Sequence, residues 1–75
     1  MIIKIFGQLS DIIGGNSLEM DDIASTDELV KNLQLKYPAL ANSKYRLAVN
    51  RNIVQSNTEL QTGAEVALLP PFSGG

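Results

Sequence analysis

Short apolar runs separated by turn residues make up the first 20 residues and predict two strands around a short helix. The run IIKIF, residues 2–6, is rich in isoleucine and predicts a strand over 1–6 that is buried on at least one face. The segment QLSDII, residues 8–13, predicts about one helical turn, closed by a pair of glycines at 14–15. Leu18 and Met20 share one face of a second predicted strand over 16–20. The glycine pair permits a hairpin-like return between the two strands.

The segment STDE, residues 25–28, is the strongest local signal because it has the sequence of a helix capping box. Ser25 fits the N-cap position, and Glu28 fits the third helical position. An apolar stripe with a spacing of four residues follows and consists of Leu29, Leu33 and Tyr37. Pro38 ends the pattern, since the residue before a proline is pushed out of the α conformation. The pattern therefore predicts one amphipathic helix over Thr26–Lys36 with a core-facing stripe.

The second half of the chain predicts three more strands. Residues 47–49 and 53–54 form the arms of a hairpin around a turn at 50–52, and residues 65–69 form a last strand apolar enough to be central. Because a single helix can cover one face of a small sheet, this order predicts an α+β fold of the β-grasp layout. We expect a mixed sheet of about four to five strands with one main helix across it. A domain over 1–69 is expected to precede a flexible C-terminal tail, residues 70–75.

Composition excludes most catalytic classes. The chain has 75 residues with no cysteine and no histidine. It therefore has no disulfides, no thiolate nucleophile, no Ser-His-Asp triad and none of the usual zinc or haem ligands. A body of this size also has little room for a deep enzyme cleft. Any chemistry must use carboxylates, lysines, tyrosines, hydroxyls or a chain terminus.

Charge and hydropathy set the expected compartment and partners. The net charge of −2 does not favour a nucleic-acid partner, which would call for a strongly basic face. The opening apolar run is interrupted by Lys4, Gln8 and Asp11, so it is neither a signal peptide nor a membrane span. We therefore expect a cytoplasmic protein with no nucleic-acid or membrane partner.

The last six residues, PPFSGG, form the candidate functional segment. Pro70 and Pro71 each fix φ and remove a donor, so the last strand must stop and the exit is stiff. Gly74 and Gly75 have no Cβ, so their backbone can enter a slot too narrow for other residues. A frayed end is the alternative, but a Gly pair at a given position arises by chance in about 0.5% of chains. The tail is therefore predicted to be functional.

The chemistry available to such a tail is that of its carboxylate. A free carboxylate is anionic at pH 7 and a poor electrophile, so it reacts only after conversion to an acyl-adenylate or a similar ester. The chain contains no phosphate-binding loop of the GxxxxGK[ST] or GxGxxG type. An ATP-using partner must therefore activate Gly75, after which a sulfur or amine nucleophile could take the acyl group.

The whole chain resembles a known family. It is similar to the small, sulfur-carrying subunit of molybdopterin synthase, the MoaD type, in the ubiquitin-like β-grasp group that also includes ThiS. The terminal pattern GxEVxxxPPxSGG is its most specific part. The matching segments are MIIKIFGQLSDIIG, STDELVKNLQLKYP, AVNRNIV and LQTGAEVALLPPFSGG.

The resemblance implies a non-catalytic carrier that binds no cofactor or metal itself. A ubiquitin-activating-type enzyme, MoeB-like, would adenylate Gly75 with ATP and magnesium, and the adenylate would become a thiocarboxylate. The tail would insert into the large, MoaE-like synthase subunit, in a heterotetramer. There Gly75 would donate sulfur to cyclic pyranopterin monophosphate, forming the dithiolene of molybdopterin.

The same resemblance assigns roles to the other tail residues. Pro70 and Pro71 would set the exit direction, and Phe72 is a candidate docking anchor. Gly74 would give clearance in both partners' channels, whereas Ser73 looks permissive because its hydroxyl has no evident base. An apolar docking patch is expected on the exposed sheet face near the tail. Its candidates are Leu47, Val49, Val66, Leu68 and Leu69, although a place in the core is the favoured interpretation for each of them.

Three other interpretations remain open. A ThiS-like carrier for thiazole synthesis shares the terminal chemistry, although the PPFSGG ending and the length favour the molybdopterin branch. A ubiquitin-like modifier would join Gly75 to lysines of target proteins. A β-grasp interaction module would use no terminal chemistry at all.

Overall fold

Each segment predicted to be a strand forms one, and the main helix has the predicted bounds. The computed structural model describes residues 1–71. Its elements are β1 Ile2–Ile5, α1 Leu9–Ile13, β2 Ser17–Glu19, α2 Thr26–Lys36, a 3₁₀ segment Pro38–Asn42, β3 Arg46–Val49, β4 Asn52–Val54 and β5 Val66–Leu69.

The five strands form one mixed sheet in the order β2-β1-β5-β3-β4. β1 and β5 pair in parallel, with Ile5 opposite Leu68, while the other three pairings are antiparallel. The last strand therefore lies at the centre of the sheet, as its apolar sequence predicts. With α2 as the one long helix, this is the predicted β-grasp fold.

The start of α2 follows the predicted cap with one difference. Ser25 has an extended backbone, and its Oγ accepts the Glu28 N–H at 3.4 Å. A capping box would return the Glu28 carboxylate to the N–H of the cap residue, but here it accepts from the Ala24 N–H at 3.4 Å. The Glu28 N–H, which has no partner within the helix, is thus satisfied by the Ser25 side chain, and this favours a helix that begins at Thr26.

The end of α2 shows an element that the sequence pattern did not predict. The helix stops at Lys36, before Pro38, but the chain then continues as a 3₁₀ segment instead of a loop. Proline suits the first position of a helical segment because its φ is already helical and its missing N–H is not needed there. The segment places Leu40 fully inside the core.

The core lies between α2 and one face of the sheet. Its fully buried side chains are Ile3, Leu29, Leu33, Leu40 and Leu68. Because side chains alternate along a strand, burial of one set sends the neighbouring set to the opposite face. That second face is not covered by any helix within residues 1–71, and it is called the open face below.

The connection from β4 to β5 is held against the N-terminus of α2. Thr26 is the one buried polar side chain among the described residues, and its Oγ1 accepts the Thr58 N–H at 2.8 Å. Asn57 Oδ1 accepts the Asp27 N–H at 3.0 Å, and the Leu60 N–H donates to the Ala24 carbonyl at 2.8 Å. These bonds fix the long connection, so that β5 enters the sheet in a defined register.

Candidate functional site

The tail leaves the domain from the central strand. β5 ends at Leu69, the residue before Pro70. The Phe6 N–H donates to the Leu68 carbonyl at 3.0 Å, which is the last main-chain hydrogen bond between β1 and β5. Pro70 is half-buried and Pro71 is exposed. The exit is therefore at the middle of one sheet end, where a partner can approach it from several sides.

The remaining predicted site residues are Phe72, Ser73, Gly74 and Gly75, and they lie outside the described residues. Their roles stay predictions. The described part of the chain ends at Pro71, the residue to which these four are joined.

A shallow depression of about 510 Å³ lies beside the exit. Its lining residues are Gln8, Leu9, Asp11, Ile12, Ser43, Lys44, Pro70 and Pro71, so the depression adjoins the point where the chain leaves the sheet.

The open face carries the exposed apolar residues of the sheet. Ile2 is 58% exposed, Phe6 is 46% exposed and Ile53 is 42% exposed. The strand register places Ile53 opposite Ala48, and Ala48 opposite Ala67. Leu69 lies two residues beyond Ala67 on the same strand, so it shares that face. The apolar residues of the open face are Ile2, Phe6, Ala48, Ile53, Ala67 and Leu69.

This assignment places four of the five patch candidates in the core, which is the interpretation favoured for them from the sequence. Leu47, Val49, Val66 and Leu68 are buried in the core under α2, and Leu69 is the one candidate that faces the open side. The reason is the period of two: residues 66 and 68 share the core face with residues 47 and 49 by register. Ile2, Phe6 and Ile53 were missed as patch residues. Period-two alternation along each strand separates the residues of the two sheet faces. Which of the two faces is open depends on the side that the helix covers.

Charges on the open face are arranged around its apolar residues. Lys4 lies opposite Ala67 in the sheet, and Arg46 lies opposite Leu69. At the end far from the tail, Arg51 Nε and Glu65 Oε2 form an ion pair at 3.3 Å. Both side chains are largely exposed, so water screens the pair and it adds little to stability. The half of the open face near the tail thus combines apolar residues with two cations.

Neither a membrane-spanning helix nor an acidic metal cluster occurs within residues 1–71. The described helices are all too short or too polar to cross a membrane. The same residues contain no group of three acidic side chains placed to hold a metal ion.

The five-stranded mixed sheet with one long helix across it, and a chain that leaves the sheet from its central strand, define a class of small ubiquitin-like β-grasp proteins. Within that class, this chain belongs to the ThiS family, whose model matches residues 3–75. The match includes the terminal residues that the structure does not describe.

Curated relatives cover the whole length of the chain. It is 34% identical over 83 aligned positions to the molybdopterin synthase sulfur carrier subunit of Chlamydomonas reinhardtii, with 100% of both chains covered. It is 28% identical to the subunit of that name from Haemophilus influenzae, with 97% of this chain and 96% of the relative covered.

Solved structures show the same fold. A protein assigned as molybdopterin converting factor subunit 1 from Pyrococcus furiosus superposes with a TM-score of 0.80 at 19% identity, covering 95% of each chain. Haloferax volcanii small archaeal modifier protein 1 gives 0.73 at 20% identity, again covering 95% of each. A chain from the complex of subunits 1 and 2 of the Helicobacter pylori molybdopterin-converting factor gives 0.65 at 28% identity, covering 99% and 96%.

Proposed function

We propose that this chain is the sulfur carrier subunit of a molybdopterin synthase. The observation that carries the proposal is that the chain leaves the central strand at Pro70, at a sheet end where the open face carries exposed Phe6. The family match to residues 3–75 and the names of the full-length relatives support it. The chain itself is a non-catalytic subunit, and its partners supply the catalytic groups.

The first step is activation of Gly75. An oxygen of its carboxylate attacks the α-phosphorus of ATP, which forms the acyl-adenylate and releases pyrophosphate. Magnesium neutralises the phosphate charge in the partner's site. A MoeB-like enzyme of the ubiquitin-activating type would supply that site, since this sequence has no phosphate-binding loop.

The second step stores sulfur on the main chain. A sulfur nucleophile attacks the acyl carbon, AMP leaves, and Gly75 becomes a thiocarboxylate. In the MoaE-like large subunit, the sulfur forms a bond to a carbon of cyclic pyranopterin monophosphate while a C–O bond of that carbon breaks, and the oxygen leaving group takes up a proton. Water then breaks the acyl–sulfur bond and restores the Gly75 carboxylate. A carrier of this kind needs no cysteine, which agrees with the composition.

The open face is the proposed docking surface for the large subunit, in a heterotetrameric synthase. Exposed Phe6 and half-buried Leu69 lie at the sheet end from which the tail leaves. A partner bound there would receive the tail directly, because docking surface and exit adjoin. Desolvation of a large aromatic residue at the centre of an interface contributes much of its affinity.

The molybdopterin branch is favoured over the thiazole branch by the names of the full-length relatives. The modifier interpretation has support at the level of fold only, from the likeness at 20% identity to the archaeal modifier. Transfer to lysines of target proteins, in place of sulfur transfer, would be the result that favours it.

The proposal predicts that the carrier gains sulfur on Gly75. Incubation with the adenylating enzyme, ATP, magnesium and inorganic sulfide is expected to raise the intact mass by about 16 Da, because one sulfur atom replaces one oxygen atom. Electrospray mass spectrometry of the intact chain measures this gain, and fragmentation places it on the last residue.

The matched control omits ATP, and no gain is expected there. An unchanged mass in the complete reaction, under conditions that charge another carrier of this family, would contradict the carrier function. Purified large subunit with cyclic pyranopterin monophosphate then separates the branches, since a thiazole carrier would not yield molybdopterin.

The proposed docking surface predicts the effect of a charge on Phe6. Phe6→Asp is expected to weaken binding to the large subunit by at least about 10-fold, because it removes an apolar anchor and adds a charge that must be desolvated. Isothermal titration calorimetry of the uncharged carrier against the large subunit measures the change.

Leu35→Asp is the control for this prediction. Leu35 is 73% exposed on α2, which covers the opposite side of the sheet. Its substitution should leave affinity within about two-fold of wild type. Equal losses for both variants would show that binding does not use the open face.

A further inference from the structure

Gly7 and Pro70 lie directly against each other at the exit of the tail. A Cβ atom built on Gly7 would lie 2.8 Å from Pro70 Cγ and 3.4 Å from Pro70 Cδ. Carbon atoms in proteins do not pack at 2.8 Å, since their optimal separation is about 3.5–4.0 Å. The space that the pyrrolidine ring occupies is therefore available because residue 7 has no side chain.

The contact continues the register of the parallel strand pair. Ile3 pairs with Val66 and Ile5 with Leu68, so Gly7 comes opposite Pro70 two positions beyond the last pair. Pro70 has no N–H and cannot extend the ladder. The ring packs on the glycine backbone instead, so van der Waals contact takes the place of a hydrogen bond.

Gly7 is the fixed partner of this contact. Its carbonyl accepts the Ser10 N–H at 3.1 Å and the Ser10 hydroxyl at 2.8 Å, which ties it to the start of α1. On the other side, the adjacent Phe6 N–H is bonded to Leu68. A side chain at residue 7 could be accommodated by a shift of Gly7, but that shift would break these hydrogen bonds. The displacement therefore falls on Pro70.

We propose that Gly7 is a positioning residue: its bare backbone sets the direction in which the tail leaves the domain. The effect of Gly7 on sulfur transfer rests on the proposed carrier function. The contact between Gly7 and Pro70 is independent of that function. Cβ and Cδ of Pro70 are bonded to its own Cα and N and would lie 3.5 and 3.4 Å from the added Cβ, so a displacement larger than ring pucker at Cγ absorbs rotates the backbone of the tail. The φ angle of Pro71 is also fixed by its ring, so the rotation at Pro70 is transmitted to the residues that follow.

The change acts through the direction in which the tail starts. Five residues span at most about 17 Å, and displacements near 1 Å at a reacting group can already cost 10²-fold in rate.

Gly7→Ala tests the proposal in the charging reaction. Its rate of sulfur gain at saturating carrier is expected to fall at least about 10-fold, with affinity for the large subunit unchanged within about two-fold. Rate and affinity separate here because the apolar open face is not altered. Circular dichroism and the urea midpoint report whether the variant is folded.

Gly14→Ala is the matched control. Gly14 also has a positive φ, 86° against 64° at Gly7, but nothing lies within 4 Å of the Cβ built on it. Both variants therefore carry the strain of a left-handed alanine, and Gly7→Ala alone meets Pro70. Gly14→Ala should charge at the wild-type rate, and equal losses in the two variants would overturn the proposal.

Pro70→Ala provides the second arm, because it removes Cγ and Cδ. In that background, adding Gly7→Ala should change the charging rate by less than about two-fold, since the contact no longer exists. A full 10-fold loss in both backgrounds would show that Gly7→Ala acts on something other than Pro70.

A measurement without chemistry separates this inference from the carrier function. The chain has no cysteine, so Ser73→Cys gives a single site for a nitroxide label. Paramagnetic broadening of backbone amides by that label should fall on different residues in Gly7→Ala and on the wild-type residues in Gly14→Ala. An unchanged pattern in Gly7→Ala refutes the positioning role even if the protein carries sulfur. A wild-type protein that gains no sulfur refutes the carrier function alone.

Discussion

Deletion of Gly74 and Gly75 is expected to abolish sulfur charging while leaving the domain folded. The adenylate must form on a main-chain carboxylate that enters the partner's site, and the truncated chain would end at Ser73, whose Cβ and hydroxyl enlarge the entering residue. The mass gain of about 16 Da should be absent after prolonged incubation. The urea midpoint should be unchanged, because β5 and the core end before the deleted residues.

Addition of one alanine after Gly75 is the companion variant. It keeps both glycines but moves the carboxylate by one residue, about 3.5 Å in an extended chain. Charging is expected to be lost here as well, and a carrier that ends in Gly75 serves as the reference. If either variant still supports molybdopterin formation, the terminus is not the sulfur carrier and the interaction-module interpretation gains.

The second large effect is expected from the core under α2. Leu33→Ala should lower the free energy of unfolding by about 2–5 kcal/mol, because it removes fully buried apolar atoms and leaves a cavity. A small domain has about 5–10 kcal/mol in total, so this change removes a large part of it. Urea unfolding followed by circular dichroism measures the loss as a lower midpoint with an unchanged slope.

Leu35→Ala is the matched control on the same helix. The side chain of Leu35 is 73% exposed, whereas that of Leu33 has no exposed surface. The same substitution at Leu35 should change stability by no more than about 0.5 kcal/mol. Comparable losses at both positions would contradict the core described for α2.

The secondary structure was predictable because its signals are local. Ser25 and Pro38 bracket α2 by the chemistry of a cap and of a φ-restricted ring, and the structure has the helix at Thr26–Lys36. The central position of β5 followed from its uniformly apolar sequence. The 3₁₀ segment after Pro38 was not predicted, because proline ends one helix and starts another equally well.

The candidate site could be predicted from the sequence only in part. The prediction that the terminal chemistry lies at Gly75 came from the lack of cysteine and histidine together with the diglycine pattern. The docking face was not predictable at the level of residues. Val66 and Leu69 are both apolar and three positions apart, and their sides of the sheet depend on which face α2 covers.

The amino-acid sequence by itself determined the order of elements and the extent of α2, and it predicts that reactivity lies at the C-terminus. These features depend on residues that are adjacent in the chain, or on which residue types the chain contains. Tertiary structure alone decided that Phe6 and Ile53 face the open side and that Gly7 lies under Pro70. These depend on strand register, which joins residues far apart in sequence and is set by packing of the whole core.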